Sequence, residues 1–150
     1  MSTAVFVVLL VVGILAVQAL IWIPIIVWFR RRSRRVAAEL ATELQSETVV
    51  RPPEKGNYRG ATAPGYPMVK NNGLIALTKR RLVFRTLTGK AIDIPVAAIT
   101  GVREAAVFNG SVVGGRKHLI VATAAGEIGF YVSDNAGWTA ALLPGRQVSL

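Results

Sequence analysis

The chain has 150 residues, and its 18 lysine and arginine side chains against 8 acidic ones give a formal net charge of +10 at pH 7. It contains no cysteine, which excludes disulfide bonds, thiolate nucleophiles and thiolate metal sites. A basic composition of this kind favours anionic partners, namely lipid headgroups, nucleic acid or acidic proteins.

Residues 1–29 predict a transmembrane helix. The run from Ala4 to Phe29 is apolar apart from Gly13, Gln18 and Pro24. As a helix it is about 39 Å long at about 1.5 Å per residue, which exceeds the hydrocarbon thickness of about 30 Å. A secretory signal carries its positive charge before the apolar run, whereas here none precedes it. We therefore expect a retained anchor.

Five arginines follow the apolar run directly, and they are Arg30, Arg31, Arg32, Arg34 and Arg35. The cytoplasmic flanks of membrane helices are enriched in lysine and arginine. The cluster therefore predicts a single-pass protein of the cell (plasma) membrane, with its N-terminus outside and its C-terminal domain cytoplasmic. Each arginine near an anionic leaflet also adds about 1 kcal/mol of attraction.

Residues 30–47 predict a basic juxtamembrane segment and a short amphipathic helix. This helix could be a continuation of the anchor helix. Val36, Leu40 and Leu44 recur every four residues, which places them on one helical face. The stripe is shorter than the three to four heptads that support a coiled coil. Dimerisation through this segment is therefore not indicated.

Residues 48–66 are rich in proline and glycine, a composition that opposes helix formation and is typical of a linker. We expect at most one short strand there, around Arg59 to Thr62. The folded domain is predicted over residues 58–150.

From Met68 onward, short β-prone runs alternate with turn residues at a spacing typical of an all-β domain. One tight turn is expected from Thr78 to Arg81. Asp134 is a suitable N-cap for a single C-terminal helix from Asn135 to Leu143. This helix carries Trp138, which we expect to be buried against the sheet.

The stretch from Gly73 to Phe84, GLIALTKRRLVF, followed by Ile94-Pro95 and by Ile99 to Val102, resembles the signature of GRAM domains and bacterial PH-like domains. The resemblance covers about Tyr58 to Leu143. It implies a partly open barrel of two antiparallel sheets, closed by the C-terminal helix. Such domains bind phosphoinositides, other lipids or peptides, or act as scaffolds, and as a class they do not catalyse. With its preceding anchor, the chain resembles small membrane proteins of bacteria.

Five basic residues form a candidate lipid- or partner-binding set: Lys79, Arg80, Arg81, Arg85 and Lys90. In PH domains, basic residues of the first hairpins bind inositol phosphates, and contacts from arginine to phosphate are strong. The alternative is that these residues only solvate their turns, which is the usual role of exposed charge.

No catalytic residue, metal site or cofactor is predicted. His118 is the single histidine and has no cysteine to join it in a metal site. The glycine-rich stretch from Gly110 to Lys117 departs from a phosphate-binding loop, because its lysine is one position late and no serine or threonine follows. We interpret it as a hairpin loop.

The sequence therefore predicts a membrane-anchored cytoplasmic interaction module that binds anionic lipid headgroups or a membrane protein partner, and not an enzyme. The alternative is a structural or regulatory subunit of a membrane complex, such as a transporter or an envelope-assembly complex. Nucleic acid is disfavoured as a partner, because aromatic side chains do not alternate with basic ones along a strand.

Overall fold

The computed structural model describes residues 2–112 and 114–143. The chain divides into two compact units, Met1–Arg35 and Val36–Leu150. Its helices and strands are α1 (Thr3–Glu43), β1 (Val49–Ala61), β2 (Asn71–Thr78), β3 (Arg81–Thr86), β4 (Ala91–Pro95), β5 (Ile99–Ala105), β6 (Val107–Phe108), β7 (Ser111–Val112), β8 (His118–Thr123), β9 (Gly126–Tyr131) and α2 (Asn135–Leu142).

The first unit contains the apolar run of α1 and the five arginines that follow it. Its large side chains are exposed, and Leu20 for example retains 75% of its surface. Among the described residues, this is the one helix that is long and apolar enough to span a membrane. The predicted transmembrane helix is thus present as a helix, and α1 continues past it to Glu43.

The second unit contains a seven-stranded antiparallel sheet in the order β4-β3-β2-β1-β9-β8-β5. The predicted series of strands followed by one helix is confirmed. Hydrogen bonding joins the seven strands into one sheet, because β1 pairs with β2 along most of its length and with β9 from Asn57 onward. A short 3-10 turn, Val96–Ala98, connects the two edge strands β4 and β5.

One face of this sheet encloses the main apolar core. At its centre, the ring centroids of Tyr58, Phe84 and Phe130 lie 5.7 to 6.0 Å apart. Every strand of the large sheet contributes to this core, and α2 adds Trp138 and Leu142. The two edge strands, β4 and β5, both contribute side chains to this one core, so the sheet must curve around it.

The predicted linker over residues 48–66 is wrong, because β1 occupies most of it. Pro52 and Pro53 have no backbone N–H and interrupt a regular ladder, which is why the sequence does not resemble a strand. The β1–β2 register shifts on both sides of Arg51. β1 tolerates the prolines because this half of the strand is not paired with β9.

The predicted start of the domain near residue 58 is also wrong, because the second unit begins at Val36. The last two turns of α1 belong to it. Val36, Leu40 and Leu44 pack on the outer face of the β2–β3 hairpin, where they form a second apolar cluster with Leu74, Ala76, Val83 and Leu87. The predicted amphipathic face is therefore the face that packs on the sheet.

Two glycines allow the β6–β7 hairpin to approach the sheet. A side chain at Gly129 would collide with the ring of Phe108. Gly60 has φ +96 and lies against both Met68 and Asn109, so the β1–β2 loop and the hairpin meet there.

Helix α2 begins at the predicted N-cap, since the Asp134 carboxylate accepts a hydrogen bond of 3.0 Å from the Gly137 N–H. Trp138 is fully buried, as predicted. Its indole N–H donates to Glu54, and the guanidinium of Arg51 lies 4.7 Å from the ring centroid. Residues 144–150 of the predicted domain lie outside the described residues.

Candidate functional site

The five basic residues of the predicted binding set do not lie at one place. Lys79 and Arg80 form the exposed β2–β3 turn, whereas Lys90 lies in the β3–β4 turn at the opposite end of β3. The six residues of β3 separate the two turns by about 20 Å at about 3.3 Å per residue. Arg81 and Arg85 lie between them on β3.

The guanidinium of Arg81 is bound by three carboxylates. Its Nη2 donates to Glu47 at 2.7 Å and to Glu43 at 3.3 Å, and its Nη1 donates to Asp93 at 3.1 Å. The Nε contacts both oxygens of Glu47, at 3.1 and 3.2 Å. Arg81 thereby joins β3 to β4 and to the segment between α1 and β1.

Arg85 is held in the same way. Its guanidinium donates to Glu43 at 2.5 and 3.2 Å and to Asp93 at 2.9 Å. Arg81 and Arg85 are four residues apart on one strand, so both side chains point to the same face of the sheet. The two arginines and three carboxylates make one network of net charge −1, which we call the charge cluster: Glu43, Glu47, Arg81, Arg85 and Asp93.

The charge cluster lowers the pKa of Glu43 and of Glu47. Hydrogen bonds from Arg85, assisted by Arg81, hold the pKa of Glu43 below its ordinary value even though partial burial raises it. The hydrogen bond from Arg81 likewise lowers the pKa of Glu47. In return, the hydrogen bond to Glu47 raises the pKa of Arg81. These pKa shifts follow from the hydrogen bonds between the charged groups, which stabilise the ionised form of each partner.

Arg81 and Arg85 therefore have internal partners that the sequence analysis did not assign to them. The sequence could have indicated Asp93 as a partner, because a short turn joins β3 to β4. The register places Asp93 on the same face of the sheet as Arg81 and Arg85. The sequence could not have indicated Glu43 and Glu47, since their proximity depends on the helix packing on the hairpin.

The exposed members of the predicted set are Lys79, Arg80 and Lys90. The hydroxyl of Thr78 shapes the first turn by accepting from the N–H groups of Arg80 and Arg81, at 3.2 and 3.1 Å. This hydrogen bonding keeps the charged side chains of the turn outside the core.

A further exposed lysine that the sequence analysis did not include lies at the same end of β3 as Lys90. Asn71 donates to Thr88 at 3.0 Å, which ties the start of β2 to the β3–β4 turn. Lys70 immediately precedes this contact and is exposed, as is Lys90. The exposed basic charge around β2 and β3 thus divides into two pairs at opposite ends, Lys79–Arg80 and Lys70–Lys90.

The five arginines of the predicted topology cluster, residues 30 to 35 apart from Ser33, lie within α1. His118 is fully buried on β8, with its Nδ1 3.1 Å from the carbonyl oxygen of Ala105. Within residues 2–112 and 114–143, no three His, Cys, Asp or Glu side chains are grouped to hold a metal ion.

Comparisons of this chain with protein-family models, with curated proteins and with solved structures found no match. The functional argument therefore depends on the geometry of the chain itself.

Proposed function

We propose that this protein is a membrane-anchored interaction module whose C-terminal domain binds anionic lipid headgroups at the inner leaflet. One observation carries the proposal. The apolar run of a helix long enough to cross a membrane is followed directly by five arginines, and a basic folded unit begins at Val36. A domain covalently tied to a membrane meets lipid headgroups at high effective concentration.

The architecture supports a PH-like interaction domain. An antiparallel sheet curves around one core, and β1 lies between β2 on one side and β9 on the other. The C-terminal helix covers the core with Trp138. Architecture of this kind defines a scaffold, and the task depends on the residues at its surface.

The distribution of charge supports an anionic partner. Six of the eight carboxylates of the chain form salt bridges among the described residues. These six are Glu43, Glu47, Glu54, Asp93, Glu127 and Asp134. Four arginines bind these carboxylates. The excess positive charge is therefore concentrated on the exposed basic side chains outside these pairs, where it can attract an anionic surface.

The competing function is a structural or regulatory subunit of a membrane complex. Four exposed apolar side chains favour it: Met68, Val69, Val107 and Val112, each with more than half of its surface exposed. Val107 and Val112 are directly opposite each other on the β6–β7 hairpin. A protein partner that covers this surface would account for them.

The test is sedimentation of the fragment Val36–Leu150 with lipid vesicles, after circular dichroism has shown that the fragment is folded. We expect binding to vesicles that contain phosphatidylglycerol, little binding to pure phosphatidylcholine, and weakening with salt, since screening acts over about 8 Å at physiological ionic strength. Absence of binding to anionic vesicles at low salt would favour the subunit alternative.

Two double variants of equal charge show which end contacts lipid. Lys79→Gln with Arg80→Gln removes one exposed pair, and Lys70→Gln with Lys90→Gln removes the other. If the hairpin meets the bilayer end-on, only one of its ends is in contact, so this orientation predicts that one double variant loses much more binding than the other. Equal losses would indicate diffuse attraction without a defined contact surface.

A further inference from the structure

A second basic surface lies on the outer face of β1, away from both exposed pairs. Gly56 and Tyr58 face the core, since a side chain at Gly56 would contact Ile75 and Phe84 and since Tyr58 is fully buried. Side chains alternate along a strand, so Lys55, Asn57 and Arg59 point outward.

The register places polar groups of three strands in one row beside these cations. Asn57 is paired with Asn72 of β2 on one side and with Tyr131 of β9 on the other. The Asn57 amide donates to the Asn72 side chain, and its oxygen accepts from Arg59 at 3.3 Å. These hydrogen bonds fix the two amides and orient the Arg59 guanidinium along the sheet.

Tyr131 connects this row to two further cations. Its hydroxyl is bound by the Arg116 guanidinium at 2.5 Å, and the guanidinium carbon lies 5.9 Å from the ring centroid. Lys117 follows in the chain. A groove of about 720 Å³ runs beside Lys55 and Arg59, and a second of about 370 Å³ runs beside Arg116 and Lys117. Tyr131, Val132 and Ser133 line both, so the two grooves are adjacent.

The two grooves together carry a net positive charge. Glu54 is the acidic residue of the first groove, but it binds the Trp138 indole N–H and lies 3.5 Å from Arg51. Glu104 is the acidic residue of the second groove. Four cations therefore line the two grooves against two carboxylates, one of which, Glu54, already has its partners. Such a site is complementary to a dianion.

We propose that the adjacent grooves around Tyr131 bind a ligand that carries a phosphate monoester group, with Lys55 and Arg116 on opposite sides of it. The volume suits a small molecule or a lipid headgroup. The amide of Asn72 and the hydroxyl of Ser133 supply neutral donors between the cations. This site shares no residue with the two exposed pairs and goes beyond general attraction to an anionic surface.

The test uses the full chain in nanodiscs of pure phosphatidylcholine, with pyrophosphate as the probe in isothermal titration calorimetry. We expect saturable binding of the probe. The double variant Lys55→Gln with Arg116→Gln should weaken it by about tenfold or more, since each charge-assisted contact contributes strongly. The control of equal charge, Lys79→Gln with Arg80→Gln, should change affinity by less than about twofold.

A third variant separates the site from diffuse charge. Tyr131→Phe keeps the charge and the ring but removes the hydroxyl that positions Arg116, so we expect weaker pyrophosphate binding with unchanged thermal stability. No saturable heat with the wild-type chain would overturn the proposal, as would equal losses in the two double variants. Because these nanodiscs carry no anionic lipid, this outcome is independent of the vesicle experiment.

Nanodiscs of two compositions distinguish the natural source of the phosphate. Phosphatidic acid carries a phosphate monoester, whereas phosphatidylglycerol is anionic without one. If the ligand is a lipid headgroup, phosphatidic acid should reduce the apparent affinity for pyrophosphate more than phosphatidylglycerol does. If the ligand is a soluble phosphate, the two lipids should change the apparent affinity for pyrophosphate equally. Replacement of Lys55 and Arg116 should still weaken pyrophosphate binding.

Discussion

Arg81 of β3 donates to the Glu47 carboxylate at 2.7 Å, across 34 positions of sequence. Glu47 lies between α1 and β1, and its side chain also lies within 3.2 Å of the Thr78 hydroxyl at the end of β2. This one carboxylate therefore fixes the segment that leads from the helix into the sheet.

The charge cluster predicts that Arg81 is structural. Arg81→Gln should lower the free energy of unfolding of the Val36–Leu150 fragment by about 1 to 2 kcal/mol, because Glu47 loses its charged donor while remaining partly buried. Arg80→Gln, one position earlier and exposed, should change it by less than about 0.5 kcal/mol. Urea titration measures both, and equal effects would contradict the assignment.

Two carboxylates of the charge cluster, together with Glu127, which pairs with Arg103, also predict acid sensitivity. The pKa of Glu43, of Glu47 and of Glu127 is lowered in the folded domain from the ordinary value of 4.5. A depressed carboxyl pKa stabilises the folded state above 4.5, and this contribution is lost as pH falls through the folded-state pKa. The free energy of unfolding should thus be level near neutral pH and decline below about pH 4.5. Glu47→Gln should make the decline shallower, and an unchanged slope would argue against a role for this residue.

The end of α1 is predicted to be part of the folded domain. Leu40 is 1% exposed within the second apolar cluster, so Leu40→Ala should cost about 2 to 5 kcal/mol. Glu39→Ala, on the exposed side of the same turn, is the matched control and should be nearly neutral. A fragment that begins at residue 58 should be less stable still, since it lacks both the helical segment and nine of the thirteen residues of β1. If it is as stable as Val36–Leu150, the helix is not integral to the domain.

Trp138 reports on the docking of α2. Trp138→Ala should cost about 3 to 5 kcal/mol, because the side chain is fully buried in the main core. It is the only tryptophan after residue 35, so the fragment should show blue-shifted emission from this residue alone. Emission typical of an exposed indole in the folded fragment would show that α2 is undocked.

The arginine cluster predicts the orientation of the anchor. A reporter fused after Leu150 should be cytoplasmic, because the positive charge lies on the C-terminal side of the apolar segment. Replacement of the five arginines by glutamine, with lysines introduced near Ser2, should invert a fraction of the molecules. Digestion of the β domain by protease added outside intact cells would contradict this orientation.

The sequence alone determined the features that depend on local pattern. The apolar run of α1 and its arginines are contiguous, and the strands and the β2–β3 turn follow from alternation and turn residues within a few positions. The N-cap Asp134 and the buried Trp138 are also local signals.

Only the tertiary structure decided which face of each element is covered and which charges are paired. β1 was missed because Pro52 and Pro53 oppose a regular strand, and its place depends on β2, which follows later in the chain. The local sequence around Arg81 and Arg85 does not show that these side chains are paired. Their partners Glu43 and Glu47 lie more than 30 residues away and are brought to them by the packing of α1 on the sheet. Side-chain pairing at such separation is set by how the helix packs on the sheet, and no local pattern encodes it.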